Sequence, residues 1–301
     1  MKTQRMPRVG GRGTPVLRPI WWILGMLAVA GAFGAAYWGF VLTATGQRAD
    51  ELALRGAAAY LDADLARRPA LALLGDLPAA AAILLAVAVL AAAIARRDLV
   101  VPAIALAGFG AAVASTQLLK HVVLERPDKN ISEASMNSFP SGHTTFAAAA
   151  MVAVFLLCSP RWRPLAAVFG GFYAAAAGGA TFVLGWHRPA DILAAYLVAA
   201  FWGLLAGLVI VLREPGWNTW NGPGSHWAAA RAWTTLLWVP GVLGIAGAIV
   251  VYWRVSAALA PGSEGSLLGH LLAGVLFIVG AASFLFALGS AFFSWQTSAR
   301  R

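Results

Sequence analysis

Asn137-Ser138-Phe139-Pro140-Ser141-Gly142-His143-Thr144-Thr145 runs directly into the apolar stretch Phe146 to Leu157. A Pro-Ser-Gly-His turn that opens into a hydrophobic helix gathers unpaired backbone N–H groups and one imidazole at a single helix N-terminus. The first N–H groups there have no intrahelical partner and the helix dipole favours negative charge, so the turn suits an anion. Ser141 or Thr144 can cap the helix, and Gly142 lets a ligand approach the backbone closely. Taken alone, the same residues also describe an ordinary capped helix start. The company on either side argues for more. Lys120 and Arg126-Pro127 lie upstream, His187 and Asp191 downstream, and both groups flank other hydrophobic runs.

Those runs set the class of protein. The chain is 60% hydrophobic and 11% charged, with a mean hydropathy of +0.74. A soluble domain of this length does not need so much apolar surface, so the composition is that of an integral membrane protein. The net charge of +10 is then a matter of membrane topology and not of a nucleic-acid surface. One cysteine, Cys158, allows no intramolecular disulfide and reads as a small buried side chain. No Cys/His cluster has metal-ligand spacing.

Met1 to Arg18 is a basic tail, expected to be cytoplasmic, with no acidic residue. Pro19 to Leu42 is too long for the apolar region of a signal peptide and reads as an uncleaved first helix. Thr43 to Leu77 is polar, and Leu54, Leu61 and Leu65 recur at helical spacing within it. They predict an amphipathic helix lying on the membrane surface. Further spans are expected at Pro78–Ala95, Leu99–Leu119, Ser141–Cys158, Leu165–Leu184, Ala190–Leu212, Trp233–Tyr252 and Leu267–Phe293. The tryptophans between Arg213 and Arg231 suit the headgroup region. Gly170-Gly171 and Gly178-Gly179 suit close helix packing. The expectation is an all-α polytopic bundle of about eight transmembrane helices. Residues 19–212 form its six-span core, and residues 213–301 add two spans of unassigned role.

Eight spans put both termini on one side. That side then carries 13 Lys and Arg against two acids, and the other carries nine against ten. Basic loops stay in the cytoplasm, so Lys120, Arg126, His143 and His187 are expected at the outer face of the cell membrane.

Three stretches converge there: Lys120 to Pro127, Pro140 to His143, and His187 to Asp191. Titratable residues at span ends are functional candidates, and two cations, a helix N-terminus and two imidazoles suit a phosphate ester. His187 and Asp191 are four apart at a helix start and share a face. The carboxylate can accept one ring N–H and leave the other nitrogen as nucleophile. His143 is placed as the acid that protonates the leaving oxygen. Each residue taken singly has a plainer use: Asp191 offsets a helix dipole, and His187 is an interfacial polar group. His121 reads as a passive neighbour of Lys120, and His226 and His270 lie away from the set.

The three stretches resemble the signature motifs of the phosphatidic acid phosphatase type 2 superfamily, which includes bacterial lipid phosphatases and undecaprenyl diphosphate phosphatases. The likeness covers roughly residues 80 to 212. It implies a six-span core and hydrolysis of a phosphomonoester or diphosphate on a membrane lipid at the outer leaflet. It implies His187 as the residue that becomes phosphorylated, Asp191 as its orienter and His143 as the acid. Lys120, Arg126, Ser141 and Gly142 correspond to the phosphate-binding set, and no metal or other cofactor is implied. Polyprenyl diphosphate is the first substrate the likeness suggests. A phosphotransferase using the same phosphohistidine, or an inactive lipid-binding homologue, is the alternative.

Two departures stand out. Five residues, where the family usually has six, separate Lys120 from Arg126. The Ser-Arg pair expected six residues before the nucleophile is here Ala180-Thr181, so one phosphate-binding arginine is absent from its usual place. Arg188 is the candidate replacement, although Pro189 biases it toward an extended backbone that turns its side chain away from that of His187.

Overall fold

The computed structural model describes residues 19–61, 64–132, 136–220, 228, 231–296 and 298–299. The basic tail, residues 1–18, and His226 lie outside them. The chain is an all-α, multi-pass membrane bundle. Helix α1 (Pro19–Ala36) continues as a π-helical turn, Tyr37–Leu42, and is followed by α2 (Ala44–Leu61), α3 (Asp64–Arg96) and α4 (Val100–Leu118). A second π turn, Leu119–Val123, carries Lys120. Then come α5 (Gly142–Leu157), α6 (Arg163–Val183), α7 (Pro189–Arg213), α8 (Arg231–Ala258) and α9 (Glu264–Gln296). A two-residue parallel bridge, Thr219 with Ser298 and Trp220 with Ala299, is the one extended pairing among the described residues.

Seven helices are long and apolar enough to cross a bilayer; α5, of 16 residues, is shorter. At 1.5 Å per residue α5 spans ~24 Å, less than the ~30 Å of hydrocarbon. It nonetheless runs from one end of the bundle to the other. Thr145 near its start meets Thr116 at the end of α4 (3.1 Å), and Leu156 near its end accepts from Trp217 Nε1 (3.0 Å). Its Ala-rich sequence suits this central place, because small side chains let neighbours close in on most sides. Trp21 and Trp295 pack ring against ring, 5.4 Å between centroids. The two ends of the described chain therefore share one end of the bundle, and the Pro140–His143 and His187–Asp191 turns lie at the other.

Small residues set the helix spacing as the sequence suggested, with one exception. A side chain on Gly170 would strike Phe286 and one on Gly171 would strike Leu237, whereas Gly179 faces open space. Helix backbones also approach closely at α9: a Cβ on Gly56 of α2 would stand 2.3 Å from the Leu267 carbonyl oxygen, and one on Gly280 would stand 2.7 Å from the amide nitrogen of Ile245 in α8. Helix α9 also packs on α2, α6 and α7.

Three expectations need correcting. Helix α2 packs into the bundle through short and polar side chains and not through a leucine stripe. Its inner face is Gln47, Asp50, Glu51, Ala53 and Ala57, all buried, and it packs along α9, with Tyr60 Oη donating to the Glu264 carbonyl at 3.0 Å. Helix α3 begins at Asp64, well before Pro78, because Pro69 and Pro78 are absorbed inside it. Proline removes a backbone donor and frees a carbonyl in the preceding turn, which neighbouring groups in a bundle can re-satisfy; beside Pro78 the Tyr173 hydroxyl donates to the Leu77 carbonyl and ties α6 to α3. Trp217 is buried at 3% exposure instead of facing the lipid interface.

Candidate active site

The site is built on the first turn of α7. Arg188 is the N-cap with extended backbone (φ −81°, ψ 159°), and Pro189 supplies a pre-set helical φ at the first position. Asp191 at the third position turns its carboxylate back, and Oδ2 accepts from the Arg188 amide at 3.0 Å. Oδ2 also accepts from Ser138 Oγ at 2.7 Å. His187 Nδ1 stands 3.5 Å from the same oxygen, beyond ordinary hydrogen-bond length. Asp191 is fully buried and His187 is 6% exposed. The Asp191 backbone carbonyl receives the Ser141 amide at 3.0 Å, which ties α7 to the start of α5.

At that start, Ser141 caps as the sequence allows. Its Oγ accepts from the Thr144 amide (3.4 Å) and bonds Thr144 Oγ1 (2.9 Å). Fully buried, it is spent on the helix start. Gly142 and His143 face outward into a cavity of about 480 Å³ that Lys120, Gln117, Trp186 and His187 also line. Its remaining wall is apolar: Leu74, Leu77 and Pro78 of α3, Val113 of α4, and Phe146, Ala147 and Ala177. The His143 ring lies 5.5 Å from that of Trp186, tilted by 44°. Asn137 locks the approach, its Nδ2 donating to the carbonyls of Lys120, Leu124 and Phe139. Both imidazoles and the Lys120 ammonium thus share one chamber.

Arg126 is the group with unmet demand. Its side chain is 4% exposed, its Nη2 lies 3.5 Å from Asp191 Oδ1, and Nε, Nη1 and Nη2 have no hydrogen-bond partner among the described residues. One ion pair leaves most of the hydrogen-bonding capacity of this buried guanidinium unmet, which is costly, so the position suits an anion. Arg188 is the opposite case. Its guanidinium turns away from the cavity and donates to Glu51 Oε2 from Nη2 (2.8 Å) and Nε (3.2 Å), to Ser138 Oγ (3.1 Å) and to Ser132 Oγ. Thr181, where the arginine is absent, is fully buried and donates to the Gly178 carbonyl at 2.8 Å.

Behind the carboxylate lies a second buried acid, Asp50 of α2, at 3% exposure. Its Oδ1 accepts from the Ala190 amide at 3.2 Å, and its Oδ2 has no partner among the described residues. Burial, with the Asp191 charge beside it, pushes Asp50 up from an ordinary 3.8 to about 7.

The structure places Lys120, Gly142, His143 and His187 around one chamber, with Asp191 behind His187 and Arg126 beside Asp191. The sequence reading missed Ser138, Asn137, Gln117, Trp186, Asp50 and Glu51. Ser138 and Asn137 sit inside the stretch that opened the reading and could have been weighed as second partners of Asp191. No local signal marks Asp50 or Glu51.

Residues 102–214 match the model of the PAP2 superfamily. They run from the first turn of α4 to the end of α7. No curated protein and no solved structure matches the chain.

Proposed function

Residues 102–214 belong to the PAP2 superfamily, whose members act on phosphate esters, and from that premise we propose that the protein is a membrane lipid phosphatase working through a phosphohistidine. The observation that carries the proposal is the buried Arg126 guanidinium, ion-paired with Asp191 at 3.5 Å yet without a hydrogen-bond partner among the described residues, next to a chamber lined by His143, His187 and Lys120.

The lipid phosphate enters with its phosphoryl group against Lys120, Arg126 and the amides at the start of α5, which stabilise the charge that builds on its oxygens. Asp191 accepts the Nδ1 proton of His187, so Nε2 carries the free electron pair. Nε2 attacks phosphorus in line, the bond to the leaving oxygen breaks, and His143 gives that oxygen its proton. Water then attacks the phosphohistidine, passing a proton to His143 as the P–N bond breaks. Phosphate leaves and both imidazoles return to their starting states.

A lipid substrate is supported by the chamber's two characters. Charge lines one wall, and apolar side chains of α3, α4 and α5 line the rest, at a level where acyl or prenyl tails stay in hydrocarbon. The distribution of Lys and Arg supports a chamber at the outer face and termini in the cytoplasm.

The test is phosphate release by purified protein from phosphatidate-like and polyprenyl diphosphate substrates, with and without chelator, polyprenyl diphosphate first. Release that vanishes in His187→Ala supports the proposal. A product carrying the phosphoryl group on a second lipid makes the protein a transferase. Absence of both kinds of turnover overturns it. An impermeant thiol reagent should label a cysteine placed at Lys129 from outside and spare one at Arg161.

A further inference from the structure

Helix α2 lies outside residues 102–214, yet two consecutive acids on it grip the first turn of α7. Asp50 accepts from the Ala190 amide, and Glu51 accepts from the Arg188 side chain. Between these contacts stands Pro189, which has no N–H to offer.

From Glu51 a continuous chain of polar contacts reaches the nucleophile. Glu51 Oε2 receives Arg188 Nη2 at 2.8 Å, and Arg188 Nη1 reaches Ser138 Oγ at 3.1 Å. Ser138 Oγ reaches Asp191 Oδ2 at 2.7 Å, and that oxygen faces His187 Nδ1 at 3.5 Å. The direction of each bond follows from its donors. A guanidinium can only donate, so Ser138 accepts from Arg188 and its single proton is free for Asp191. Asp191 Oδ2 then takes the Ser138 O–H and the Arg188 amide from one side and faces the imidazole on the other. Glu51 and Arg188 are buried, at 7% and 3% exposure, so their pairing is little screened by water.

We propose that Glu51 is a positioning residue for phosphoryl transfer, acting through Arg188 and Ser138 on the carboxylate that orients His187. The inference rests on His187 being the nucleophile. It gives Arg188 a task other than phosphate binding: its guanidinium is committed to Glu51, and the extended backbone before Pro189 turns it there. It also gives α2 a role in the chemistry carried by α4 to α7.

The test joins kinetics to a spectrum. Glu51→Ala and Ser138→Ala should each lower kcat by about 10- to 100-fold with KM within about two-fold, since they disturb an orienter and not the phosphate contacts. The double variant should be no slower than the slower single one, because both cut the same chain. Glu51→Gln keeps an acceptor oxygen for Arg188 and should recover most of the loss; it also keeps the test open if Glu51→Ala fails to fold. Nitrogen NMR of His187 should show the Nδ1-protonated ring in the wild type and a mixture of tautomers in Glu51→Ala and Ser138→Ala. Unchanged kcat with an unchanged His187 spectrum overturns the proposal. So does a fall in KM, which would mean that the freed Arg188 binds phosphate. If wild-type protein turns over no lipid phosphate, the phosphatase reading fails, while the His187 spectrum still decides the relay by itself.

Discussion

Each end of the bundle buries an arginine, and the two are treated in opposite ways. Arg163, at the end that holds the chain termini, is 3% exposed, with its guanidinium against the Asn218 amide oxygen and over the rings of Phe155 and Phe293 at 5.7 and 5.2 Å. Arg126, at the other end, has Asp191 at 3.5 Å and, among the described residues, no hydrogen bond from its three guanidinium nitrogens. The first charge is stabilised by aromatic faces and an amide within the protein. The second is held in place and left incomplete, beside the chamber. Burying a charge without partners costs several kcal/mol unless something arrives to pair it. One end is therefore built for cohesion, the other to receive an anion.

The largest break in that contrast comes from the imidazoles. His187→Ala or His143→Ala should lower phosphate release by at least ~10³-fold, and the double variant should fall little further, since the two act as one unit. Retention of a tenth of wild-type turnover by His187→Ala would exclude it as nucleophile. Arg126→Ala comes next, with an expected loss of about 10²–10³-fold in kcat, comparable to removing one oxyanion donor. Vanadate, standing in for the phosphoryl group, should raise the Tm of the wild type and leave that of Arg126→Ala unmoved. At ten times its Kd it would add about 1.4 kcal/mol. Equal stabilisation of both proteins would mean that the guanidinium does not meet the anion.

A third effect is a matter of pH and belongs to the site end alone. Asp50 rises from 3.8 unfolded to about 7 folded, so the folded protein holds a proton that the unfolded chain releases. Its contribution is best below pH 4 and is lost as pH rises toward 7. Between pH 5 and 8 it should cost stability on the order of 2–3 kcal/mol. Asp50→Asn keeps an acceptor for the Ala190 amide and carries no charge. It should flatten that decline, gaining most on wild type at pH 8, less at pH 5, and matching it only below about pH 4 in denaturation of the detergent-solubilised protein. A parallel decline in both proteins would assign the pH dependence to other groups.

The sequence made the cohesive parts legible and the incomplete ones only in part. Hydropathy found the crossing helices because each run of apolar residues must span the same thickness of hydrocarbon, whatever its neighbours are. It also placed His143, His187 and Asp191, since these lie at helix starts where local spacing decides which side chains share a face. Arg188 was harder. Its neighbour Pro189 foretold an extended backbone, but its partner Glu51 lies 137 residues upstream, and nothing in either local stretch announces the pairing. Helix α2 was misread for a related reason. Leucine spacing suggested an amphipathic helix, while the buried face of α2 includes Gln47, Asp50, Glu51, Ala53 and Ala57, whose value appears only when α7 and α9 are in place.

Arg163→Met carries the smallest expected effect and tests the other half of the contrast. Methionine has similar length, is unbranched and fills irregular apolar space, so the packing against Phe155 and Phe293 is largely kept and can be supported by sulfur–aromatic contact. What is lost is the attraction of the cation to two ring faces and the donor to Asn218. Asn218 retains its own bond from Nδ2 to the Gln296 carbonyl at 3.0 Å, so the amide is not stranded entirely. The cation–ring attraction is worth about 1–2 kcal/mol when desolvated, and methionine also avoids the cost of burying a charge. A net loss of about 1 kcal/mol should therefore appear as a small fall in Tm, with kcat and KM for the lipid phosphate unchanged. Turnover falling as far as in Arg126→Ala would show that the two ends are coupled through α5 and α7, and that cohesion at one end is a condition for anion capture at the other.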